Sequence, residues 1–120
     1  MVRKILLTVL LVAATATVSF GQNIAGTWAA SFETQVGTQE YTYTFALDGT
    51  TLTGTATSVN GEVEITAGAV NGNEITFVEN LNYEGMPLQI TYTGTLAGDE
   101  IQFTRDVAGI AMEELVARRQ

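Results

Sequence analysis

From about residue 24 onward, apolar and polar side chains alternate with period two, and turn residues interrupt the alternation at near-regular intervals. In one segment Tyr41, Tyr43, Phe45 and Leu47 take one face while Thr42, Thr44 and Ala46 take the other. In another, Leu88, Ile90, Tyr92 and Leu96 oppose Gln89, Thr91, Thr93 and Thr95. Each segment therefore has one dry side and one wet side. The breaks fall at 35–38, Asp48-Gly49, Asn60-Gly61, Asn71-Gly72-Asn73, 82–86, Ala97-Gly98-Asp99 and 107–110, and the Asn-Gly and Asp-Gly pairs suit the positive φ of tight hairpins. Strands are predicted over roughly 24–34, 39–48, 50–59, 62–70, 73–82, 86–97, 99–106 and 112–119.

Sequential hairpins with one-sided alternation make an up-and-down meander. Closing it removes exposed edges, so the expected fold is all-β, an eight-stranded antiparallel barrel, with a two-sheet sandwich as the alternative. The last segment has two readings. Glu113 and Glu114 early and Arg118 and Arg119 late suit a helix dipole, with a Glu114–Arg118 pair at four-residue spacing. Nine residues make a marginal helix, and losing this strand would open the sheet, so a strand is expected.

Ahead of the alternating region, Arg3 and Lys4 precede an apolar run from Ile5 to about Val12 and then small residues to Gly21. That layout reads as a secretory signal peptide over 1–21, cleaved near Gly21-Gln22, with one domain over 22–120. The expected product is secreted or periplasmic. Without the leader, three basic residues face thirteen acids, a net charge of −10, and the domain has no Lys, His or Cys. Such a chain is not expected to hold nucleic acid or an anionic membrane by charge. It also lacks the residues for a Ser-His or Cys-His nucleophile, a soft-metal site or a disulfide. Calcium ligand spacing is not apparent around Asp99 and Glu100. No cofactor or metal is expected, and the domain is expected to be a monomer.

In a meander, successive turns fall at alternate ends. The turns at Asp48, Asn71 and Gly98 share one end and are tight; the generally longer connections at 35–38, 60–61, 82–86 and 107–110 share the other, the candidate mouth. Trp28 falls at the tight end as a core plug, with Arg118 or Arg119 brought close to its ring. Two charges interrupt dry faces near the mouth: Glu79, aligned with Ile75, Phe77 and Leu81, and Arg105, aligned with Ile101 and Phe103. Either charge alone would be costly to bury, which predicts an internal ion pair, a solvated rim or a ligand contact. The candidate ligand-binding residues are Phe32, Tyr41, Glu79, Asn82, Tyr83 and Arg105, with Met86, Met112 and Asn80 nearby. Inward Gly54, Ala56, Ala67 and Gly94 would leave space or let strands bend.

Glycoside hydrolysis needs two carboxyl groups, and Glu79, Glu40 and Glu84 could converge at the mouth with Asp106 near them. No catalytic residue is assigned, because thirteen acids on a small domain make such convergence easy.

Gly26-x-Trp28 with a late Arg resembles the lipocalin and calycin barrels, whose first strand carries this motif beneath a basic residue. Gly26-Thr27-Trp28 and Leu52-Thr53-Gly54-Thr55 are also similar to avidin-type barrels, but one Trp is too few for that family's biotin box. A longer pattern includes Gly26-Thr27-Trp28, Tyr41-Thr42-Tyr43-Thr44-Phe45, Phe77-Val78-Glu79, Gly98-Asp99-Glu100-Ile101 and Glu114-Leu115-Val116-Ala117-Arg118. It resembles a family of small exported bacterial domains, mostly uncharacterised, some attached to or labelled as polysaccharide-degrading enzymes. That resemblance implies a glycan-related setting. The expected function is a non-catalytic binding module for carbohydrate or cell-wall fragments at the barrel mouth. A calycin-like carrier of a small apolar molecule and a small glycoside hydrolase are the alternatives.

Overall fold

The computed structural model describes residues 24–120; the leader predicted over 1–21 and its cleavage site lie outside the described residues. The described residues form nine strand segments: β1 (Gly26–Thr34), β2 (Gly37–Asp48), β3 (Thr51–Ser58), β4 (Gly61–Glu64), β5 (Thr66–Asn71), β6 (Glu74–Tyr83), β7 (Met86–Ala97), β8 (Glu100–Val107) and β9 (Ala111–Arg119). All pairings are antiparallel, and β2 pairs with both β1 and β3. The ring closes where β9 meets β1, with Trp28 opposite Arg119 and Ala29 opposite Arg118. The result is a closed eight-stranded barrel in which β4 and β5 are two parts of one stave, both paired to β3. The final segment is a strand, registered against β8 from Ala111 to Arg118.

The broken stave departs from simple alternation. Ala67 has φ of 53° and the β5–β6 register shifts between Thr66 and Ala69. This bulge changes the inward parity, so Ile65 and Val70 are buried and Ala67 is exposed, correcting the expected inward position of Ala67. Glycine permits close backbone approaches on both sides of β3, to β2 and to β5. Gly54, at φ of 150°, lies opposite Phe45, and a Cβ on it would stand 1.9 Å from the Thr44 carbonyl oxygen. Gly68 packs equally tightly, with a Cβ position 2.2 Å from the Leu52 oxygen.

The tight end is sealed by Trp28. Its ring is fully buried, its Nε1 donates to the Ile24 carbonyl at 2.9 Å, and the Arg119 guanidinium lies 4.3 Å from the ring centroid. Asp99 holds Arg119 there through Nε at 2.9 Å. Above the plug, Tyr43, Phe77, Tyr92 and Phe103 fill the barrel's middle, with Phe77 and Tyr92 stacked at 4.3 Å between centroids. Phe103 occupies the space a side chain at Gly94 would need, since a Cβ there would come within 2.4 Å of its ring. With these layers packed, the cavity described below lies towards the mouth.

Candidate functional site at the open end

Cross-strand register builds the polar part of the site. Tyr92 on β7 faces Arg105 on β8, and Arg105 faces Glu113 on β9, so three consecutive strands present these side chains to one interior level. Glu79 on β6, the other neighbour of β7, and Tyr41 on β2 complete the group. Its hydrogen bonds have defined directions. Tyr41 donates to Glu79 Oε2 at 2.8 Å, and Tyr92 donates to Glu79 Oε1 at 2.9 Å. Arg105 Nη1 donates to the Tyr92 hydroxyl at 2.9 Å. The Tyr92 proton is directed to Glu79, so at the 2.9 Å contact between Tyr43 and Tyr92 the Tyr43 hydroxyl is the donor.

The expected internal ion pair therefore takes a different form. Glu79 and Arg105 are both buried, yet they communicate through the Tyr92 hydroxyl, and the direct ionic partner of Arg105 is Glu113, with Nε 3.0 Å from Oε1. The N–H points off that line, so neither atom completes a hydrogen bond. The reason is spacing: β7 lies between β6 and β8, and the Tyr92 side chain occupies the gap between the two charges. The guanidinium also lies 5.1 Å from the Phe32 ring centroid and 5.0 Å from that of Tyr41, which suits a desolvated cation.

Burial pushes the Glu79 carboxyl above its ordinary value, opposed by the two phenol hydrogen bonds and by the Arg105 charge. Burial likewise raises the Tyr41, Tyr43 and Tyr92 hydroxyls, so they serve as protonated donors at neutral pH.

Above this floor opens a cavity of about 390 Å³. Its walls are aliphatic, from Leu81, Leu88, Ile90 and Val107, and Tyr41, Arg105 and Glu113 supply its polar base. Each of the four loops at this end carries an apolar side chain on the rim: Val36, Val59, Met86 and Ile110, which are 58–87% exposed. At the opposite end the three connections are Gly49-Thr50, Gly72-Asn73 and Gly98-Asp99.

Of the residues singled out from sequence, Tyr41, Tyr83 and Arg105 line the cavity. Phe32 is buried against the Arg105 guanidinium, and Glu79 sits one layer deeper, behind Tyr41 and Tyr92. Asn82 is exposed opposite Pro87 on the outer face, and the Asn80 amide bonds Thr66 outside the barrel. Met86 lines the rim, whereas Met112 points outward, because inward parity on β9 belongs to Ala111, Glu113, Leu115 and Ala117. Glu113 is the lining residue that sequence reasoning missed as a site residue. The signal was present in the parity of the strand expected there, which puts Glu113 on one face with Leu115 and Ala117. As for a carboxylate pair, Glu113 is the one acid among the lining residues; Glu40 and Glu84 are exposed, and Asp106 accepts from the Gly109 N–H.

The chain matches no protein-family model, and comparison with curated proteins finds no match.

Proposed function

We propose that this barrel is a non-catalytic binding module whose open mouth takes a small, largely apolar molecule. The observation that carries this reading is the asymmetry of the two ends: an apolar residue on every mouth loop, leading to aliphatic cavity walls. Exposed apolar groups gathered in this way mark interaction sites, and about 390 Å³ falls within the usual range for small-molecule sites. The filled middle of the barrel argues for a shallow seat. The aliphatic lining favours an apolar body over a sugar ring, which would be recognised by flat aromatic platforms. A glycan is the second reading, supported by the Tyr83 ring at the cavity wall and by the resemblance to domains attached to polysaccharide-degrading enzymes.

Nile red titration tests the proposal. Binding should weaken at least tenfold in Ile110→Asp and Met86→Asp, with thermal stability preserved. Met112→Asp, which alters an equally exposed apolar residue outside the mouth, should bind as the parent does. Equal behaviour of all three variants would refute the apolar mouth, and displacement by xylan or cellulose oligosaccharides, with no displacement by alkanols, would move the reading to the glycan.

A further inference from the structure

The polar floor of the mouth is satisfied on one side and not on the other. Tyr41 and Tyr92 both donate to Glu79, and Arg105 Nη1 donates to Tyr92. Towards Glu113 the bonding is incomplete. Arg105 Nε and Glu113 Oε1 stand 3.0 Å apart and attract as charges, but the N–H is turned off their line. Among the described residues these are the buried side-chain atoms that complete no hydrogen bond. Only 5% of the Arg105 side chain and 12% of the Glu113 side chain are exposed, and both residues line the cavity. A buried donor and acceptor left unmade are costly, and a ligand that completes them gains what the free protein forgoes.

The pair decides which head group can do so. An anionic head would face Glu113, and a cationic head would face the Arg105 guanidinium. Either would bring an unbalanced charge to a place where two opposite charges already offset each other. An ether oxygen accepts but cannot donate, so it leaves Glu113 unanswered. A hydroxyl does both: it can accept the Arg105 N–H and give its own proton to the Glu113 carboxylate.

Resting on the binding reading above, we infer that the mouth selects neutral alcohols with an apolar body, the hydroxyl bridging Arg105 Nε and Glu113 Oε1. Glu113, the more exposed of the two side chains, turns to admit it. The apolar body lies against the Leu81, Leu88, Ile90 and Val107 walls.

A series of matched ligands tests this on the full chain. Titrations followed by proton–nitrogen NMR compare n-octanol with its isomer heptyl methyl ether, with n-octanoate and with n-octylammonium. n-Octanol should bind at least tenfold tighter than each of the other three, because a site that hydrogen-bonds a hydroxyl rejects analogues lacking it. The arginine Nε–H signals report on the floor directly. That of Arg105 should shift as n-octanol binds, while those of Arg118 and Arg119, held at the tight end by Glu100 and Asp99, should stay in place. Arg3→Lys, Arg118→Lys and Arg119→Lys identify the other arginine signals by their loss. Glu114→Gln, which removes a charge from the outer face of β9, should keep the preference. Ether binding as tightly as n-octanol, a charged head binding tighter than n-octanol, or an Arg105 signal that n-octanol leaves unmoved would overturn this inference and leave the apolar mouth standing. Failure of all four compounds to bind would overturn both.

Discussion

Glu79 and Arg105 share one hydroxyl: Tyr92 donates to the carboxylate at 2.9 Å and accepts from the guanidinium at 2.9 Å. A single phenol thus joins a buried acid on β6 to a buried base on β8, while its ring stacks on Phe77 in the packed middle of the barrel. The apolar core and the polar floor of the mouth are held in register by that residue.

Tyr92→Phe keeps the ring and removes the link. Arg105 Nη1 loses its acceptor, Glu79 keeps only Tyr41 as donor, and the Tyr43 hydroxyl loses its acceptor. Leaving buried polar and charged groups unsatisfied costs about 1–3 kcal/mol or more, so chemical denaturation should register a loss of roughly 2–4 kcal/mol. Tyr83→Phe, at a partly exposed ring, should be close to neutral. Equal effects of the two substitutions would show that the network contributes little.

Glu79 should make stability depend on pH in a definite direction. Its folded-state value lies above the ordinary 4.5, so the folded protein binds more protons than the unfolded chain in the interval between them. Stability from this group is therefore full below that ordinary value and is lost as pH rises through the folded value. The stability of the parent minus that of Glu79→Gln, from denaturant melts between pH 4 and 8, should fall with rising pH and then level off. A difference that stays flat or rises across that range would contradict the assignment.

Trp28→Ala should be the most damaging truncation at the tight end. The ring is fully buried, and loss of a core aromatic costs about 3–5 kcal/mol. Arg119→Ala removes the cation over that ring and should cost less, about 0.5–2 kcal/mol, judged by thermal unfolding. A larger loss from Arg119 than from Trp28 would mean that the end is closed by charge pairing and not by the indole.

Gly54→Ala tests the close approach of β3 to β2. The new methyl would fall 1.9 Å from a backbone oxygen, at a φ of 150° that side chains rarely adopt. Expression should fall sharply, or the protein should melt well below the parent. Gly85→Ala, in the β6–β7 turn at φ of 85° with open space around it, carries only the backbone strain and should be milder.

Period two along Tyr41–Leu47 and Leu88–Leu96 was sufficient to place strands, because a side chain's face in a strand depends only on parity. The tight and open ends followed from turn order, and a late Arg beside Trp28 from the direction of the first and last strands; the structure selects Arg119 over Arg118. Parity failed where the backbone departed from it. The bulge at Ala67 depends on a close approach between β3 and β5 that no local pattern encodes. Glu79 and Arg105 stood out as charges on dry faces, but sequence carries no measure of the distance between strands two apart. Only the closed barrel decided that Tyr92 fills that distance and that Glu113 is the residue beside Arg105, whereas Asn82 facing away already followed from parity with Leu81. The sequence determined which side each strand buries, since that is a property of successive residues. The tertiary structure decided which buried groups touch, since that depends on register and closure around the whole ring.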